Sequence, residues 1–84
     1  MKNLKIETSV REAKEADFVL REIGMNDSFI QEASNLWVLP EYDEEEFGEY
    51  LGDDYAIECL TPIKEEIEAE FKRHGMTEFE VVIF

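Results

Sequence analysis

The stretch TPIKEEIEAEFKRHGMTEFEVVIF, Thr61 to Phe84, decides the fold class, because local chemistry marks both a helix and a strand within it. Thr61-Pro62 supplies a cap and a first-turn proline, whose missing N–H costs little where the leading amides of a helix have no partner. Ile63, Ile67 and Phe71 recur at helical spacing as one apolar stripe, with Lys64, Glu65, Glu66, Glu68, Glu70, Lys72 and Arg73 off it. Acids lead and bases trail, as the helix dipole prefers, and Gly75 is placed to end the helix in a left-handed conformation. Thr77 to Phe84 then alternates, with Phe79, Val81 and Ile83 on one face and Glu78 and Glu80 on the other, which predicts a strand.

Upstream, Tyr55-Ala56-Ile57-Glu58-Cys59-Leu60 reads as another strand entered from a turn at Asp53-Asp54. Leu36 to Leu39 is a strand stopped by Pro40, and Pro40 starts a helix over Glu41 to Leu51 with Tyr42, Phe47, Tyr50 and Leu51 on one side. Met25-Asn26-Asp27-Ser28 is turn chemistry. Residues 27–34 are open to two readings, a short capped helix or half of a hairpin turning at Ser34-Asn35. Ser9-Val10-Arg11-Glu12 has the capping-box pattern, followed by Val10, Ala13, Ala16, Val19, Leu20 and Ile23 as the apolar face of a helix ended by Gly24. Phe18 falls off that face. Met1 to Glu7 alternates Leu4 and Ile6 against Lys5 and Glu7, a short first strand.

The expected order is β, α, the open element, β, α, β, α, β. This is the α+β class: a single small domain over residues 1–84, with a three- or four-stranded sheet and two to four helices packed mainly on one face. With 84 residues, most apolar side chains are spent on the core, which argues against a deep substrate cavity.

Charge is the main functional signal. The basic residues stand at positions 2, 5, 11, 14, 21, 64, 72 and 73, so no basic side chain lies between Glu22 and Ile63. That segment holds 12 acids: Glu22, Asp27, Glu32, Glu41, Asp43, Glu44, Glu45, Glu46, Glu49, Asp53, Asp54 and Glu58. The flanks set 10 acids against all 8 bases, which leaves 12 of the net 14 negative charges on the central segment. Self-repulsion of this kind opposes compaction and calls for a reason. Adaptation to high salt would raise surface acid everywhere, against which the ordinary lysine content of the flanks argues, and a disordered acidic tail would lack Phe29, Trp37, Tyr42, Phe47, Tyr50 and Tyr55. A merely solvated helix face and a recognition surface are left as the competing readings. If the helix persists, Glu41, Glu45, Glu49 and Asp53 form a file at i, i+4 spacing, carboxylates about 6 Å apart, with Glu49, Asp53 and Asp54 at the unfavourable end of the dipole.

The expected partner-binding set is therefore Glu41, Tyr42, Asp43, Glu44, Glu45, Glu46, Glu49, Tyr50, Asp53 and Asp54. No catalytic set is expected: His74 reads as a cap on terminal carbonyls, and Cys59, the lone cysteine, as a small buried hydrophobe. No cofactor or metal is expected either. Asp43, Glu45, Gly48 and Asp54 fall at four positions of a calcium-loop window, but Phe47 stands where an oxygen ligand is required and Asp54 replaces the longer glutamate. Direct nucleic-acid binding is opposed by charge. The absence of an apolar leader or a long apolar run points to a soluble chain of the cytoplasm, the host's if a phage encodes it.

Leu39-Pro40-Glu41-Tyr42, followed by an acidic helix, a strand, a helix and a last apolar strand, resembles barstar, the acidic ribonuclease inhibitor. Gln31-Glu32 through Leu39-Pro40-Glu41 is similar to the enzyme-engaging segment of the phage uracil-DNA glycosylase inhibitor. Both resemblances imply a small acidic inhibitor of a nucleic-acid enzyme. The expected function is a stoichiometric inhibitor that mimics nucleic acid and occupies the basic site of a nuclease, CRISPR effector, restriction enzyme or glycosylase, as phage anti-CRISPR, anti-restriction and glycosylase-inhibitor proteins do. The alternatives are an antitoxin or immunity protein paired with a nuclease toxin, and a nonenzymatic acidic subunit of a larger complex.

Overall fold

A computed structural model of the chain describes residues 3–39 and 53–84, with backbone alone at 53–56. The described elements are β1 (Leu4–Thr8), α1 (Ala13–Glu22), β2 (Ile30–Ala33), β3 (Leu36–Leu39), α2 (Asp53–Arg73) and β4 (Phe79–Ile83), with single 3-10 turns at Val10–Glu12 and Asn26–Ser28. All strand pairings are antiparallel, in the order β2-β3-β1-β4. Among the described elements the order is β-α-β-β-α-β with β3 beside β1, the split β-α-β arrangement of ferredoxin-like folds. The α+β class, with four strands and the two helices on one face, is as the sequence predicts.

The core forms where the strand period of two meets the helix period of 3.6. Leu4, Ile6 and Thr8 of β1 are buried, and Ile6 lies opposite Trp37 of β3 on one side and Val81 of β4 on the other. Over this row α1 lays Ala13, Ala16, Val19 and Leu20, and α2 lays Leu60, Ile67 and Phe71. Phe71 meets Phe79 edge to face at 5.2 Å between centroids, the arrangement favoured by ring quadrupoles.

Both helices end in the same way. Gly24 and Gly75 take φ of 76° and 80°, and the following residue turns its amide back, Met25 to the Leu20 carbonyl at 2.9 Å and Met76 to that of Phe71 at 3.1 Å. This is a Schellman closure, and it also folds two methionines toward the core. At the start of α1 the Ser9 hydroxyl accepts the Glu12 amide at 3.2 Å, as the capping box requires, but the first turn is 3-10 and the glutamate does not reach back. Val10, assigned above to the apolar face, is 74% exposed, because the tighter turn rotates it outward.

Three further expectations are corrected or decided. Residues 30–33 are the first half of a hairpin turning at Ser34-Asn35, and the Asn35 side chain donates to the Thr8 carbonyl at 2.8 Å. Tyr55 to Leu60 is not a strand, and Thr61-Pro62 does not begin a helix: both lie inside the 21-residue α2. Six residues with one charge among them are too few to fix a period, and Leu60 extends the stripe of Ile63, Ile67 and Phe71 backward by one turn. The helix runs through Pro62 although the Glu58 carbonyl is denied its amide, while the Thr61 hydroxyl donates to the Ile57 carbonyl at 2.6 Å. Cys59 accordingly lies on a helix, half-buried.

Pro62 is exposed and contributes no core contact, so Pro62→Ala is expected to raise stability by about 1–3 kcal/mol in chemical denaturation. A neutral or destabilising result would place the helix start at Thr61-Pro62 instead.

Candidate functional site

Eight of the ten expected partner-binding residues, Glu41, Tyr42, Asp43, Glu44, Glu45, Glu46, Glu49 and Tyr50, lie in 40–52, outside the described residues. Most of the calcium-loop window and the helix expected over Glu41 to Leu51 lie there too. The described residues on either side of that segment are Leu39, the last of β3, and Asp53, in α2. Asp53 and Asp54 are helical, the first described residues of α2, and not the turn the sequence predicts. By rise per residue α2 is about 31 Å long, against about 17 Å for a five-residue strand, so the helix is roughly twice the height of the sheet it packs on. Its first buried side chain among those described is Leu60; Ile57 and Glu58 are exposed.

Among the described residues, four basic side chains of the flanks pair with acids of the flanks. Arg11 pairs with Glu78 at 2.9 Å, Arg21 with Asp17 at 2.9 Å, Lys64 with Glu68 at 2.8 Å, and Arg73 with Glu70 through two guanidinium nitrogens. The hydrogen bond to Glu70, then its charge, raises the Arg73 pKa above the ordinary arginine value. Lys5 sits over the Phe84 ring, 5.7 Å from its centroid. Exposed pairs of this kind are each worth about 0–1 kcal/mol, but they place cations of the flanks beside acids of the flanks. Asp27, Glu32 and Glu58, the described acids of the central segment beyond Glu22, Asp53 and Asp54, are all exposed.

Two polar contacts escaped the sequence reading. The Glu12 carboxylate accepts the amides of Thr77 at 3.0 Å and Glu78 at 2.7 Å, tying the start of α1 to the loop before β4. His74 was expected to cap its own helix; instead its Nδ1 lies 3.0 Å from Glu15 and its Nε2 3.5 Å from Glu22, while Phe18 meets the ring edge-on. Glu15, Phe18 and Glu22 lie at i, i+3 and i+7 on α1, so the histidine closes the contact between the two helices. Neither contact has a local sequence signal, because each joins residues more than 50 positions apart.

Among the described residues no group of three metal-ligating side chains is assembled, and no helix is long and apolar enough to cross a membrane. No protein family, curated protein or solved structure matches the chain.

Removing the Glu12 carboxylate leaves two loop amides without their acceptor. Glu12→Ala is expected to cost about 1–2 kcal/mol in urea unfolding, whereas Glu66→Ala, on the exposed side of α2, should stay within about 0.5 kcal/mol.

Proposed function

We propose that this protein is a stoichiometric inhibitor that imitates nucleic acid and occupies the basic groove of a DNA- or RNA-handling enzyme, of the anti-CRISPR, anti-restriction or glycosylase-inhibitor type. The observation that carries the reading is the base-free run of 42 residues from Glu22 to Ile63 with its 12 acids. The charge pairing of the flanks supports it, because cations already bound to flank acids give little compensation to the central segment. A groove built for phosphates attracts a dense row of carboxylates by the same Coulomb field, which speeds encounter and excludes neutral or acidic partners. Tyr42 and Tyr50, interleaved with the acids, are the aromatic anchors of the contact. On this reading the protein performs no catalysis of its own.

The test is inhibition of a panel of nucleases, restriction enzymes, CRISPR effectors and uracil-DNA glycosylase by the full chain. One enzyme should be blocked at one-to-one stoichiometry, in competition with its nucleic acid, and Glu45→Lys with Glu49→Lys should weaken that inhibition at least tenfold. Inhibition indifferent to the double charge reversal, or an inhibitor that does not compete with nucleic acid, contradicts the proposal.

A further inference from the structure

The two edges of the sheet are finished differently. β2 is four residues long, its pairing shifts between Gln31 and Ala33, and Glu32 sits at that shift. Short length, irregularity and charge are the devices that stop another strand from adding to an edge. β4 has no such irregularity: it pairs with β1 without a shift over five residues, and backbone bonds from Ser9 to Glu78 and between Asn3 and Phe84 lengthen the ladder at both ends. On its other side β4 has no strand neighbour among the described residues. Phe79-Glu80-Val81-Val82-Ile83-Phe84 is aromatic and β-branched apart from one charge, the composition that pairs most readily.

The charges beside that edge specify the occupant. Glu80 lies directly opposite Glu7 on the face away from the helices. Like charges at that position oppose the pairing, and among the described residues neither carboxylate forms an ion pair. Glu7 and Glu80 also line an open depression of about 440 Å³ at this end of the sheet, beside Asn35, Thr77 and Glu78, the last paired with Arg11. A strand arriving at β4 therefore meets backbone groups that pair with no strand among the described residues, the apolar Val81 on the helix side and the carboxylates of Glu80 and Glu7 on the other.

We propose that the free edge of β4 accepts an extended segment of a basic protein as a fifth strand, with a lysine or arginine facing Glu80 and Glu7 and apolar residues on the side of Val81. Backbone bonding supplies the affinity and the alternation supplies the selectivity. The inference rests on the partner being basic, as proposed above, and adds a contact separate from the acidic segment.

The probe is a seven-residue peptide alternating valine and lysine, with its valine–glutamate counterpart as control, added to the full chain while backbone amide exchange is followed residue by residue. The lysine peptide should slow exchange at least tenfold at amides within Phe79–Ile83, and the glutamate peptide should not. Glu80→Lys, which faces Glu7 and so keeps the fold, should weaken the lysine peptide about tenfold, while Glu66→Lys should leave it within about threefold. Unchanged exchange across Phe79–Ile83, equal protection by both peptides, or Glu80→Lys binding as tightly as the parent chain overturns the inference. Enzyme inhibition is read separately through Glu45 and Glu49, so either proposal can fail alone.

Discussion

Everything in the fold is arranged around β1. Ile6, fully buried at the centre of that strand, has Trp37 on one side and Val81 on the other, and the apolar stripes of both helices close over this row. Burying side chains of this size contributes about 1.5–3 kcal/mol each. In a domain of 84 residues whose net stability is of the order of 5–10 kcal/mol, two or three such positions hold the balance. The split β-α-β order follows from the same requirement. Inserting β3 between β1 and β2 gives the central strand two apolar neighbours and sends the exposed β2 to the edge.

The core's demands also explain where local rules yield. Pro62 is an unfavourable residue inside a helix, yet α2 continues through it because Leu60 and Ile63 lie on the stripe that ends at Phe71. Breaking the helix at Thr61 would forfeit the burial of Leu60, worth about 1.5–3 kcal/mol, a loss comparable to the roughly 3 kcal/mol cost of an interior proline. The thirteen residues from Pro40 to Gly52 are anchored at both ends, by a strand that packs Trp37 into the core and by a helix that packs Leu60 there. The scaffold on either side of this like-charged segment pairs Arg11, Arg21, Lys64 and Arg73 with acids of its own.

The elements that the sequence made readable are those with their own punctuation. Gly24 and Gly75 announced the two helix ends, Ser9 the first helix start, and the alternation of β1 and β4 needed no tertiary information. Tyr55 to Leu60 misled because six residues satisfy both periods, and only packing against the sheet chooses between them. Val10 misled because a single 3-10 turn rotates a side chain away from the face that helical spacing assigns to it. The roles of Glu12 and His74 were out of reach for a different cause: their partners are far along the chain, and no spacing rule connects them. Of the candidate surface, composition and charge were readable in full, whereas the helical state of Asp53 and Asp54 was not.

The central claim is that the carboxylates of the segment from Glu41 to Asp54 carry the contact with a basic partner. Its most direct test is the association rate with that partner as a function of ionic strength, taken from about 50 to 500 mM salt, over which the Debye length falls from about 14 to about 4 Å. Steering by a dense acidic surface requires the rate to fall at least tenfold across that range, with little change in the dissociation rate. An association rate that stays flat while the complex persists would contradict the account, because the contact would then be made by groups other than these acids.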